Sequence, residues 1–314
     1  MRILVTGASG LLGLNLSLAA LPSHQVIGVD RSKLTGVPFE LLNMDLLDEG
    51  VLDKMFAASS PDALIHCAAL ADVDACQADP AGSQRLNTVL PEDLAAGCAK
   101  RSIPMIHIST DAVLDGSRPG FYTENDTPNP LGVYARTKLE GERAVLAVNP
   151  DAILARVNFF GWSLTGTRSL AEFFVNNLRD GKPVNGFTDV HFCPMFVGDL
   201  AETLLLMLEQ GLAGLYHVVG SEVLSKYEFG QAIARQFGFD PDLVQPNSVN
   251  QSDLVAPRSH NLRLSIHKLS TDLGRPVPGF STGLVKFYTQ FQQGYPQKIA
   301  SYQQPGALSD DQGF

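Results

Sequence analysis

Residues 1–22 read MRILVTGASGLLGLNLSLAALP. Arg2–Thr6 is a short apolar run of the kind that forms a buried strand, and Gly10–Leu21 carries the apolar spacing of a helix that Pro22 ends. Between them lies Thr6-Gly7-Ala8-Ser9-Gly10-Leu11-Leu12-Gly13. Three glycines at this spacing serve separate ends. Gly7 permits a tight turn, Gly10 lets backbone approach a pyrophosphate, and Gly13 packs helix against strand. The N–H groups of Leu11, Leu12 and Gly13 then open the helix as free donors at the positive end of its dipole. Any turn from strand to helix favours glycine, so the triplet alone says little. Its place, after the first strand and opening the first helix, is what makes it read as a phosphate loop.

Gln25–Asp30 is a second strand with β-branched residues. Asp30 follows the loop by about 20 residues, where a carboxylate accepts from ribose hydroxyls; a solvated turn aspartate is the plainer alternative. Its charge disfavours a 2′-phosphate and the neighbouring Arg31 favours one, so NADH and NADPH both stay open, with a slight lean to NADH. Phe39–Asp45 is a third strand. Asp45, followed by Leu46, either accepts from an adenine amino group or caps the next helix. Asp62–Ala69 is a fourth strand, whose small residues Ala68 and Ala69 either let a cofactor lie across the strand ends or simply pack tightly. Pro80–Lys100 reads as one long helix, Met105–Leu114 as a strand, Pro130–Val148 as a helix and Asp151–Val157 as a strand. Strands alternating with helices at this spacing predict an α/β Rossmann fold, a doubly wound parallel sheet with helices on both faces and right-handed crossovers.

The second half is less regular. Ser169–Asp180 and Gly198–Gln210 have helical patterns, and Gly214–Val219 is strand-like. Ser225 with Glu228 three residues on is a capping box. Asp240–Pro257 is rich in Pro, Asn and Ser, as in loops that build a binding site over a sheet. The expected organisation is a dinucleotide-binding domain over 1–157, its sheet completed by parts of 193–219. A smaller, mixed α/β substrate-binding part follows over 158–298, and a mobile tail over 299–314.

Of the 314 residues 45% are hydrophobic, enough for a large core, and 18% are charged. Lys plus Arg number 23 against 33 Asp plus Glu, a net charge of −10. With no basic run to offset it, that balance argues against nucleic acid as a partner. No charged leader followed by a long apolar run and no 18-residue apolar stretch is seen, so neither a signal peptide nor a membrane span is expected. Cys67, Cys76, Cys98 and Cys193 lack CxxC spacing and read as small buried thiols in a reducing compartment, the cytoplasm by default. The seven histidines are scattered without metal-ligand spacing, so no metal is expected, and His66 and His107 read as core residues.

Tyr134 and Lys138 stand i, i+4 on one predicted helix and project from one face. Such a pair is often only a surface contact. Here Ser109-Thr110-Asp111 ends the strand just before, and ligands of open α/β sheets bind at strand ends. A ketone that accepts a hydride needs a proton on oxygen. A tyrosine supplies it once a nearby ammonium draws its pKa down from about 10, and Thr110 can hold the substrate oxygen.

Gly7-x-x-Gly10-x-x-Gly13, Thr110 and Tyr134-x-x-x-Lys138 resemble the extended short-chain dehydrogenase/reductases that act on nucleotide sugars. The stretches STDAVLDGSRPGFYTENDTPNPLGVYARTKLEGE (109–142), IHCAALADVDACQADP (65–80) and APRSHNLRLSIHKL (256–269) resemble the dTDP-4-dehydrorhamnose reductase family more closely. The resemblance covers most of 1–290. It implies a Thr110, Tyr134 and Lys138 triad, with Lys138 also holding the nicotinamide ribose. It further implies NADPH or NADH as hydride donor and a 4-keto nucleotide sugar as substrate, with Asp72, Val73, Thr110 and Asn158 expected to contact it. Arg258, in the loop-rich segment, is the expected anchor for an anionic group. A homodimer stays open.

The chain departs from the family at RVNFFGW (156–162), usually like RTSWVYG, and at HFCPM (191–195), usually like FGSPT. Both lie near the expected pocket and put the particular sugar in question; His191 and Cys193 are either pocket or packing residues. Related dehydratases follow the Thr with Asp-Glu, and here Asp111-Ala112 lacks that Glu. Two alternatives remain: an epimerase with the same triad, and a partner-binding protein resembling the regulatory subunit of methionine adenosyltransferase.

Overall fold

The computed structural model describes residues 1–251 and 259–303. Seven strands form the central sheet: β1 (Arg2–Thr6), β2 (Gln25–Asp30), β3 (Glu40–Asn43), β4 (Ala63–His66), β5 (Met105–Thr110), β6 (Ile153–Val157) and β7 (Gly214–Val218). Their spatial order is β7-β6-β5-β4-β1-β2-β3, every pair parallel. The chain winds outward from β1 to β3, then returns to the other side of β1 and winds outward again. The strand order therefore reverses between β1 and β4, the switch point at which sheets of this kind form a ligand crevice beyond the strands' carboxyl ends.

The helices are α1 (Leu11–Ala20), α2 (Val51–Ser59), α3 (Val73–Ala78), α4 (Pro80–Gln84), α5 (Leu90–Arg101), α6 (Val133–Val148), α7 (Leu170–Arg179), α8 (Val197–Glu209), α9 (Lys226–Phe237), α10 (His267–Leu273), α11 (Phe280–Gln292) and α12 (Tyr295–Ala300). β4 and β6 are buried at every residue, as strands covered on both faces must be. Period-two alternation sends Leu4, Leu64, Met105 and Leu154 into a core with α2, α5 and α6. Ile3, Val5, Ile65 and Ile106 go into a larger core with α1, α8 and α11. Among the described residues no helix is long and apolar enough to cross a membrane.

Several sequence expectations shift at their boundaries, each for a local reason. The long helix expected over Pro80–Lys100 contains a π turn, Arg85–Val89. There the buried Asn87 turns its amide onto the backbone of Leu70, its Oδ1 accepting from Leu70 N at 3.0 Å and its Nδ2 donating to Leu70 O at 3.0 Å. β5 ends at Thr110, and Asp111–Val113 forms a 3-10 turn because the Thr110 hydroxyl accepts from Ala112 N. Ser225 and Glu228 make the expected capping box, and Ser169 with Glu172 makes a second.

Residues 299–303 were expected in a mobile tail, but they are packed. Ile299 and Tyr302 are buried, and Thr35 N–H donates to the Tyr302 carbonyl at 2.9 Å. The rest of that segment, 304–314, lies outside the described residues. The departures at 156–162 and 191–195 are likewise mostly core. Phe160 packs against Phe196, Phe229, Phe280 and Phe287, and Trp162 stacks on Phe287 with centroids 4.0 Å apart. Phe192, Cys193 and Met195 are buried.

Candidate active site

The glycine loop caps the crevice at β1. Gly7 has φ +69°, and a Cβ there would meet Ala68 N at 2.7 Å. A Cβ on Gly13 would strike the Gly7 carbonyl. The loop thus leaves room only for hydrogen at both positions. Gly10 begins α1 in extended conformation, and no side chain caps the helix. The opening N–H groups at Leu11, Leu12 and Gly13 thus lack a side-chain cap. Asp30, half-buried at the end of β2, fastens the loop from the side: one oxygen accepts from Ser9 N and the other from Ser32 N, both at 2.8 Å. A carboxylate has about four lone-pair sites, so acceptor capacity remains. Arg31 beside it is exposed.

At the next strand end, exposed Asp45 accepts from Leu47 N at 2.9 Å. It folds its own turn and does not cap α2, whose N-cap is Gly50; of the two readings of Asp45, the helix cap is excluded. Leu46 and Ala68 are half-buried and Ala69 is exposed.

Thr110, Tyr134 and Lys138 come together where β5 ends beneath α6. Tyr134 is half-buried on the first turn of α6, and the Thr110 hydroxyl, which donates to Asp111 Oδ1 at 3.2 Å, lies close enough to the phenol to lower its pKa. Lys138, one turn on, is only 2% exposed, and its ammonium donates to the Ile108 carbonyl at 2.7 Å. One further turn on, Glu142 accepts from Arg156 Nε (2.9 Å), Arg156 Nη2 (2.7 Å) and Ser109 Oγ (2.5 Å). This network pins α6 to β5 and β6.

Burial lowers Lys138 to about 8, with Glu142 opposing. It raises the Tyr134 phenol to about 12; the Thr110 hydrogen bond opposes this and the charge of Asp111 adds to it. The expectation that Lys138 draws the phenol toward neutrality is thus reversed. The ammonium is spent on the Ile108 carbonyl and on His107, and desolvation dominates at the ring.

Asp111, passed over in the sequence, is 4% exposed and raised to about 6, chiefly by burial. Asn158, after β6, donates to it at 2.6 Å, and Lys226 at the start of α9 lies close enough to lower it. Asn158 therefore positions Asp111, while its Oδ1 and second N–H remain. Asp72 caps α3, accepting from Ala75 N at 2.6 Å, and Val73 is its first residue. Both are half-buried. His191 is half-buried, its imidazole lowered by burial and then by the Arg263 charge. Cys193 is 1% exposed with its thiol raised to about 11 by burial, as expected of a packing residue. Arg258 lies outside the described residues.

A glycine loop at the switch point, with Thr, Tyr and Lys gathered beside it, defines a short-chain dehydrogenase/reductase type of Rossmann protein. Within that class the chain belongs to the family described as the RmlD substrate binding domain, which matches residues 1–293. It is 34% identical over 296 residues to the "Probable low-salt glycan biosynthesis reductase Agl14" of Haloferax volcanii, covering 93% of this chain and 98% of that one. It is also 34% identical over 295 residues to methionine adenosyltransferase 2 subunit beta of Xenopus tropicalis, covering 90% and 86%. Among solved structures, a dTDP-4-dehydrorhamnose reductase of Clostridium acetobutylicum superposes with TM-score 0.81 at 26% identity, over 93% of this chain and all of the other.

Proposed function

We propose that the chain is a NADH- or NADPH-dependent reductase of a 4-keto nucleotide sugar. The observation that carries this reading is the joint placement of Thr110, Tyr134 and a buried Lys138 ammonium at the end of β5, beside the glycine loop's end of the sheet. The cradle fits a dinucleotide. Hydrogen is the only substituent tolerated at Gly7 and Gly13, the N-terminus of α1 is uncapped, and Asp30 keeps acceptor capacity at ribose distance along the sequence. Gly7, Gly10, Leu11, Leu12 and Gly13 would hold the pyrophosphate. Asp30 and Arg31 would meet the adenosine ribose, Asp45, Leu46, Ala68 and Ala69 would line the adenine side, and Lys138 with Tyr134 would hold the nicotinamide ribose.

When bound, the nicotinamide supplies a hydride. The chain's own contribution is the proton and the geometry. At neutral pH a phenol held near 12 is fully protonated, the state a proton donor requires. Thr110 orients the substrate oxygen toward Tyr134, and Asp72, Val73 and Asn158 contact the sugar. Arg258 would anchor an anionic group of the substrate.

The deciding experiment monitors oxidation of NADH and of NADPH against a panel of 4-keto nucleotide sugars. Net oxidised cofactor supports a reductase; turnover with retained cofactor marks an epimerase. The equal identity to methionine adenosyltransferase 2 subunit beta favours one second reading, a regulatory partner. Tight cofactor binding without reduction of any ketone, together with a stoichiometric protein partner, would establish that reading instead.

A further inference from the structure

Three adjacent strands of the sheet carry polar side chains in register on the face that α6 covers. Thr6 of β1 pairs with His66 of β4, and His66 pairs with His107 of β5. All three are fully buried or nearly so. His66 Nδ1 lies 2.7 Å from Thr6 Oγ1, and the two imidazoles stack with centroids 5.3 Å apart and planes 21° apart. At the far end of the row His107 Nε2 lies 3.4 Å from Lys138 Nζ.

A pair of histidines is a poor way to fill this space. His66 Nε2 and His107 Nδ1 are buried with no hydrogen-bond partner, so an apolar pair of similar shape would give a more stable sheet. What the apolar pair would lack is an acceptor. Lys138 is buried and has no carboxylate within ion-pair distance among the described residues. An ammonium only donates, so the contact to His107 exists as a hydrogen bond only if Nε2 is unprotonated. The groups around the row keep it so. Lys138 faces both rings, and its charge, after burial, lowers both histidines. Glu142, Cys67 and Cys76 face Lys138 in turn, and each favours its charged form.

We propose that His107, backed by His66 and Thr6, is a positioning residue for Lys138. Its unprotonated Nε2 and the Ile108 carbonyl together hold two N–H groups of the ammonium and leave the third for a ligand hydroxyl. This rests on the cofactor-binding reading above only for the identity of that hydroxyl. The row runs from Thr6, next to the loop glycine Gly7, to Lys138, and so joins the two ends of the cofactor cradle through the sheet itself.

The direct test is the tautomer of His107 in the ligand-free wild-type protein, read from long-range 1H–15N spectra of histidine-labelled chain. The proposal requires the proton on Nδ1; a proton on Nε2 overturns it. Function is tested with His107→Phe, which keeps the ring and removes the acceptor, against His107→Gln, which restores an acceptor at similar reach. In His107→Phe the dissociation constant of NADH or NADPH should rise on the order of tenfold, the scale of a lost hydrogen bond to a charged group. The Lys138 titration seen by NMR should move to lower pH. His107→Gln should lie within about threefold of wild type, as a restored hydrogen bond predicts. A folded His107→Phe with wild-type cofactor affinity and an unmoved Lys138 titration refutes the role. If wild type binds neither dinucleotide, the reductase reading fails, while the tautomer and the Lys138 titration still decide this one.

Discussion

Replacing Lys138 by Met removes an ammonium that is 2% exposed and lacks a carboxylate partner among the described residues. Its pKa falls from the ordinary 10.5 to about 8 on folding, so the folded chain holds the proton less well than the unfolded one. The sign follows from linkage. Below about pH 8 both states are protonated and the folded state carries the full penalty, about 3 kcal/mol at 1.36 kcal/mol per pKa unit. Between 8 and 10.5 the unfolded chain binds the extra proton, so stability rises with pH. Met removes the Nζ bonds to the Ile108 carbonyl (2.7 Å) and to His107 Nε2 (long, at 3.4 Å), together a loss of about 1 kcal/mol. The net expectation at pH 7 is a stabilisation of about 2 kcal/mol, or on the order of 5 °C in Tm. By pH 10 the residual charge penalty is about 1 kcal/mol and the gain is nearly cancelled. Urea denaturation and thermal melts of both proteins at pH 7 and pH 10 measure this directly. The variant should be at once more stable and unable to bind cofactor tightly. A Met variant that melts below wild type at pH 7, or a difference equal at both pH values, would show that the buried charge is not the origin.

Tyr134→Phe removes only the hydroxyl, so turnover should fall about 10²-fold or more, while cofactor affinity changes little because the ribose contact falls mainly to Lys138; stopped-flow turnover beside calorimetric binding checks both halves. Gly13→Ala drives a methyl into the Gly7 carbonyl and should destabilise by about 1–3 kcal/mol while weakening dinucleotide binding, as urea midpoints and calorimetry would record. In Glu142→Gln the buried Arg156 loses its bidentate carboxylate, and a loss of about 3–5 kcal/mol is expected in chemical denaturation. A midpoint within error of wild type would mean that the pair does not anchor α6.

What the sequence made legible is what local chemistry determines. The first strand, its glycine loop and α1 announce themselves because turn geometry and apolar spacing are written in consecutive residues. The Tyr134 and Lys138 pair is equally local, since i, i+4 spacing on a helix fixes a shared face. Relations set by strand order stayed hidden. His66 and His107 are 41 residues apart in a chain of scattered histidines, and only the β4–β5 register stacks them. Asp111 stood in view beside Thr110, but its burial depends on Asn158, 47 residues later. Trp162 and Phe159–Phe160 looked like pocket variation. Their partners on α9 and α11 lie too far along the chain for any pattern to announce. The polar 299–303 segment hides its packing because backbone bonds to Thr35, which composition does not register, help to hold it.

That closing segment also bears on how the gene can be cut. Tyr295 donates its hydroxyl to Asn15 of α1, the Trp162 indole donates to the Phe287 carbonyl, and Tyr302 and Gln303 bond back to Leu34 and Thr35. Residues 295–303 are therefore fastened both to α1, at Asn15, and to the segment after β2, at Leu34 and Thr35. A fragment stopping at residue 157 would lose β7, α8 and this clasp together, exposing the apolar underside of α1. Chimaeras that exchange the middle of this chain with a relative's should take residues 158–279 as an insert and keep the native α11 and α12. A simple two-piece fusion would give α1 and its glycine loop a foreign fastening.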